Sequence, residues 1–127
     1  MRARRKRAFT LVEVMIVVII IGVLLAIAMP AFQAARAKSR AQAIVADLRE
    51  IEGAKERYLM ENQLTTGDPV GDASALAPVF IKEWPQGPVQ GNYAANAVGS
   101  APTFNGQTGD WYIKHCTGAT ADSACPL

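Results

Sequence analysis

Every residue from Val14 to Met29 is apolar or Gly, and no charged residue occurs between Val14 and Ala35. A stretch of this kind is long enough to cross a bilayer as a helix, which takes about 20 residues. One carboxylate, Glu13, stands directly before it, and before that comes a basic block of Arg2, Arg4, Arg5, Lys6 and Arg7. A charged side chain in hydrocarbon costs about 2.5 to 3.5 kcal/mol on insertion scales, so Glu13 needs a purpose. The chain is thereby committed to a membrane segment with an acid at its head, and to whatever the remaining residues can fold into beside it.

Two ordinary patterns account for part of this segment. A secretory signal peptide also begins with basic residues and an apolar stretch, and Ala26-Ile27-Ala28 imitates its small-residue cleavage site. A plain signal-anchor helix needs nothing beyond length. Neither explains a carboxylate placed directly after Phe9-Thr10-Leu11-Val12.

Those residues, within Arg4 to Ala37, resemble the prepilin signature of type IV pilins and type II secretion pseudopilins. The resemblance implies that a membrane peptidase cuts between Ala8 and Phe9 and methylates the new amine of Phe9. It places Glu13 at the family's acidic assembly position, and Gly22 and Pro30 at a Gly and a Pro that recur in the family's apolar helix. The family usually carries Gly before the cut, and Ala8 departs from it, which implies slower processing. The implied partners are identical subunits in a helical filament, the prepilin peptidase and methyltransferase, an inner-membrane pilus or secretion platform, and membrane lipid. No cofactor is implied.

Charge sets the expected orientation. Five of the 13 Lys and Arg residues lie in the first seven positions, so the positive-inside tendency keeps the leader cytoplasmic and exports the rest to the periplasm. Arg36, Lys38 and Arg40 oppose this weakly and can snorkel to the outer interface. Loss of the leader's five basic residues leaves 8 against 11 acids, so the formal charge of +2 becomes −3. Thr65 to Leu127 holds Lys82 and Lys114 against five acids, and such a head repels phosphate. Direct nucleic-acid binding is not expected.

Beyond the apolar segment the sequence predicts an α+β, pilin-like fold. The expected parts are a leader over 1–8, an apolar transmembrane helix over 9–35, an amphipathic continuation over 36–63 and a small head over 64–127. Ile44, Leu48, Ile51, Tyr58 and Leu59 recur at helical spacing and mark the face that docks the head. Pro30 removes one backbone hydrogen bond and is expected to kink the helix, and Gly53 weakens it further. Thr65-Thr66-Gly67-Asp68-Pro69 supplies the stop. A short helix is expected over Ala73–Phe80, a loop over Ile81–Pro88, and strands over Asn92–Val98 and Asp110–His115, with a third edge at Thr103-Phe104. A head of some 60 residues rarely builds an adequate core alone, so it must lean on the helix.

Cys116 and Cys125 form an even pair on the exported side, where disulfides persist. The pair resembles the C-terminal disulfide loop of many type IV pilins. Two sharper readings compete with it. His115-Cys116 reads as a base and nucleophile, but neighbours on a strand face opposite ways. His115, Cys116, Asp122 and Cys125 read as a metal site, but without paired ligand spacing. Asp68, Asp72, Glu83, Asp110 and Asp122 are too dispersed for an acid/base pair or a calcium loop, and major pseudopilins usually carry such a loop. Trp84 and Trp111 read as core pieces. No catalytic constellation stands out. The expectation is a structural filament subunit of a pilus, held in the inner membrane before assembly and exposed at the surface or in the periplasm afterwards. The alternatives are a secretion pseudopilin and a membrane-anchored binding module.

Overall fold

The computed structural model describes residues 9–71, 73–117 and 125–127. Its dominant element is helix α1, Leu11–Asn62, followed by a single turn of helix, α2, Ala73–Leu76. Strands β1 (Tyr93–Ala94), β2 (Thr103–Phe104) and β3 (Gln107–Thr108) form an antiparallel sheet in the order β1-β2-β3, and helix α3, Gly109–Cys116, follows directly. The architecture is α+β. The chain divides into two units, residues 1–33 and 34–127.

In the first unit, the helix carries its apolar residues bare. Residues 9–33 are all exposed, and the most apolar window of α1 has a mean hydropathy of 3.1 with none of it buried. The helix continues through Pro30, whose ring nitrogen has no hydrogen to give the turn before it. Gly22 has nothing within 4 Å of where a side chain would begin.

The second unit builds its core on the later part of α1. Ala41, Ile44, Val45, Leu48, Ile51 and Ala54 are buried at spacings of three and four, which put them on one helical face. Against them pack Leu76, Ile81, Tyr93, Phe104, Tyr112 and Cys116. Full burial of each Ile or Leu in such a face contributes about 1.5 to 3 kcal/mol, which is why so short a head can hold together. Phe104 is the centre of the aromatic set, with the Tyr93 ring 4.7 Å and the Tyr112 ring 6.1 Å from its own. The Tyr112 hydroxyl donates to the Phe104 carbonyl at 3.2 Å, so the ring's polar end is satisfied inside the core. Tyr58 stands edge-on to Phe80 at 5.5 Å and closes the far end of the face. Trp84 and Trp111 are half-buried and pack against this core.

One buried position on this face is charged. Lys55 donates from Nζ to the carbonyls of Ala95, at 2.9 Å, and Ser100. Burial pushes its pKa below the ordinary lysine value, and Glu52, one turn earlier, opposes that shift. The basic residues of this helix are therefore not all on its solvated face.

Several expected elements are corrected. The Asp110–His115 strand is a helix: Tyr112 and Cys116, four apart, both turn inward, and the Trp111 and His115 rings, also four apart, stack at 4.5 Å. Thr117 Oγ1 closes its end by donating to the Ile113 carbonyl at 2.6 Å. The Asn92–Val98 strand shrinks to Tyr93–Ala94, because Asn96 takes a left-handed backbone (φ 58°) that no strand continues through. The Ala73–Phe80 helix stops at Leu76, two residues before Pro78, whose ring disfavours helical backbone in Ala77. Thr103-Phe104 is the central strand, not an edge, because Asn105-Gly106, with φ of 50° and 79°, turns the chain straight back into β3.

Candidate functional site

The candidate site is the start of α1. Thr10 stands one residue before the helix and accepts at Oγ1 from the Glu13 N–H at 3.3 Å, while its carbonyl accepts from the N–H groups of Glu13 (3.1 Å) and Val14 (3.4 Å). The first turn of a helix leaves its N–H groups without internal partners, and a threonine hydroxyl three residues upstream satisfies one of them. Thr10-x-x-Glu13 is the spacing of a capping box, with Phe9 and Val14 at the positions of its hydrophobic staple. Thr10 therefore belongs to the site. The Thr-x-x-Glu spacing marks it in the sequence, though the family resemblance directs attention to its neighbours.

Glu13 is exposed on this first turn, where the positive end of the helix dipole favours a carboxylate. On another face of the same turns, Phe9, Thr10, Leu11, Val14, Met15, Val18 and Ile19 line an open, largely apolar trough that Glu13 does not enter. Glu13 is the single acid among the exposed residues 9–36. Gly22 and Pro30 lie further along the same bare helix. Ala8, the other half of the proposed cleavage site, lies outside the described residues.

At the opposite end of the chain, Cys116 and Cys125 are joined in a disulfide with Cα atoms 5.4 Å apart. Cys116 is buried in the core and Cys125 packs against it. A cysteine in this bond has no thiolate to attack with, which removes the nucleophile reading. His115 and Cys116 both lie on α3, so no opposite strand faces separate them. The His115 ring bonds through Nδ1 to the Trp111 carbonyl at 2.9 Å. Among the described residues, no three His, Cys, Asp or Glu side chains gather as a metal site. Asp72 and Asp122 lie outside the described residues.

The comparisons with known proteins point to the same end of the molecule. The family profile for the prokaryotic N-terminal methylation motif matches residues 3–29. The type II secretion system core protein G of Klebsiella pneumoniae is 28% identical over 87% of this chain and 97% of its own length. The corresponding protein of Escherichia coli K12 is 40% identical over 49% of this chain and 43% of its own. The fimbrial protein EcpB of Eikenella corrodens is 38% identical over 54% and 43%. No solved structure matches the chain. With a methylation motif leading into a bare apolar helix and a small α+β head beside it, this chain is similar to the type IV pilins and pseudopilins, among them secretion and fimbrial proteins.

Proposed function

We propose that the chain is a structural subunit of an envelope filament, made as a precursor, cut and methylated at Phe9, and polymerised through α1. The observation that carries this reading is the pairing of Glu13 with a fully exposed apolar stretch of helix over residues 14–35. Such a helix needs another apolar environment, and a bilayer and a bundle of like helices are the two that fit. In the bundle, Glu13 of one subunit neutralises the Phe9 amine of a neighbour, so that neither charge is buried alone. Identical head-to-tail contacts then repeat without closing, as a filament requires. Methylation keeps the amine's charge and changes its size. Before assembly, the subunit spans the inner membrane once, with the leader in the cytoplasm and the head in the periplasm.

Two filaments fit, a secretion pseudopilus and a surface pilus. The extent of similarity favours the first, since the Klebsiella pneumoniae secretion protein is matched over 97% of its length and the fimbrial protein over 43%. Deleting the gene and assaying both secreted proteins and sheared surface fibres separates them. Loss of secretion with fibres unchanged supports the pseudopilus, and loss of fibres with secretion unchanged supports the pilus. If both persist and the leader is retained on the working protein, the chain is an anchored module and no filament subunit.

A further inference from the structure

The loop between β1 and β2 is held from two sides. On one, Val98 exchanges backbone hydrogen bonds with the turn that follows α1: its carbonyl accepts from Gly67 N–H at 2.9 Å, and its N–H donates to the Asp68 carbonyl at 3.0 Å. Gly99 lies so close to this turn that a side chain there would meet Thr66 at 2.7 Å. On the other side is Lys55. Asn96 (φ 58°) and Gly99 (φ 84°) both take left-handed backbone, and the two carbonyls next to these bends, Ala95 and Ser100, converge on Lys55 Nζ. The Asn96 side chain fixes the bend by donating to the Ala101 carbonyl at 2.7 Å.

We propose that residues 95–100 form a binding cradle for a primary ammonium, supplied in cis by Lys55, and that this bound ammonium holds the loop on the helix. The chemistry selects that class. Two carbonyls aimed at one atom call for a donor with several hydrogens on a single nitrogen, which an ammonium has. A guanidinium spreads its donors over a wide planar fork, and a quaternary ammonium has none. Lys55 is only 4% exposed and stands among the buried residues of α1, so its charge is compensated by these carbonyls inside the molecule. Removing the side chain beyond Cβ opens a space shaped for n-propylammonium, which repeats the lost atoms.

The test uses the full chain in detergent micelles and reads hydrogen exchange at the Val98 and Gly67 amides. Loss of hydrogen bonds to a charged donor corresponds to about 10- to 100-fold less protection at these amides in Lys55→Ala. n-Propylammonium should restore it saturably, while tetramethylammonium, potassium and calcium at equal ionic strength should not. Lys55→Met keeps the apolar stem and isolates the ammonium, so it should lose the same protection with the rest of the core unchanged. Native protection of Val98 in Lys55→Met overturns the proposal. Equal rescue of Lys55→Ala by tetramethylammonium or calcium overturns the assignment to a primary ammonium.

Discussion

The Tyr93 hydroxyl donates a 2.6 Å hydrogen bond to Asp47 Oδ2, tying strand β1 to a helix residue 46 positions earlier. Apart from the bonds from Lys55 to Ala95 and Ser100, the core meets α1 largely through apolar contact, which is not directional, so the Tyr93 bond helps fix where along the helix the sheet docks. Tyr93→Phe should cost about 1 to 2 kcal/mol, since the half-buried carboxylate loses a partner that water replaces incompletely. Equal stability of this variant and the parent in denaturant titration would deny the bond its role.

The buried tyrosines give the head an alkaline limit. Burial first, and then Asp47, push the Tyr93 pKa well above the ordinary tyrosine value. Burial does the same to Tyr112. The unfolded chain releases these protons near pH 10 while the folded chain keeps them, so the folded state binds more protons there and stability falls as pH rises past about 10. Lys55, shifted down, contributes with the opposite sign. Denaturant midpoints measured from pH 8 to 11 should fall, and fall less in Tyr93→Phe. A rising midpoint across that range would show that Lys55 outweighs the tyrosines.

Reduction of Cys116–Cys125 should destabilise the head by about 2 to 3 kcal/mol, the chain-entropy figure for a loop of some ten residues. Cys125→Ser is the cleaner variant because Cys125 is half-exposed, whereas Cys116→Ser places a hydroxyl in the core. Membrane insertion should be unaffected in both. Thiol labelling of native material without reductant should mark neither residue. Stoichiometric labelling of both would mean that the exported protein does not use the bond.

At the other end, the mature protein should begin at Phe9 and carry a methyl group there. Replacing Ala8 with a bulky residue should leave precursor in the membrane. Intact-mass and N-terminal peptide measurements decide this, and an unprocessed leader in functioning filaments would refute it.

Glu13 and Thr10 should separate assembly from helix formation. Glu13→Val removes a charge from a segment that then sits more easily in the bilayer, yet leaves a neighbour's amine to be buried alone at a cost of several kcal/mol. The mutant subunit should accumulate, processed and with a folded head, while entering few fibres. Thr10→Val should instead fray the first turn by about 1 kcal/mol, the worth of a cap, with a smaller loss of fibres. Normal fibre yield from Glu13→Val, with the mutant present in the fibres, would assign the carboxylate another task.

What could be read in advance follows from how local each signal is. The stripe of Ile44, Leu48 and Ile51 repeats within one helix, so its period announces both the element and its buried face. Asn105-Gly106 carries a hairpin signature, but strands of two residues leave no alternation around it to strengthen the reading. Asp110–His115 has strand-like composition, and the fourfold spacing of Tyr112 and Cys116 that favours a helix is a single pair. At the site, Glu13 stands out because hydrocarbon makes a lone acid conspicuous. Lys55 does not, since it sits among Glu52 and Glu56 like any solvated lysine, and its partners lie 40 and 45 residues away.

Residues 9–36 are all exposed, and the buried face of α1 begins at Ala41. The two halves of one helix thus answer to different solvents. Exchanging lipid for detergent, or for the flanks of sister helices, alters the surroundings of the first half without touching a buried contact of the second. Whatever apolar surroundings residues 9–36 are given, the side chains that must adapt to them are ones that hold no part of the core built from Ala41 onward.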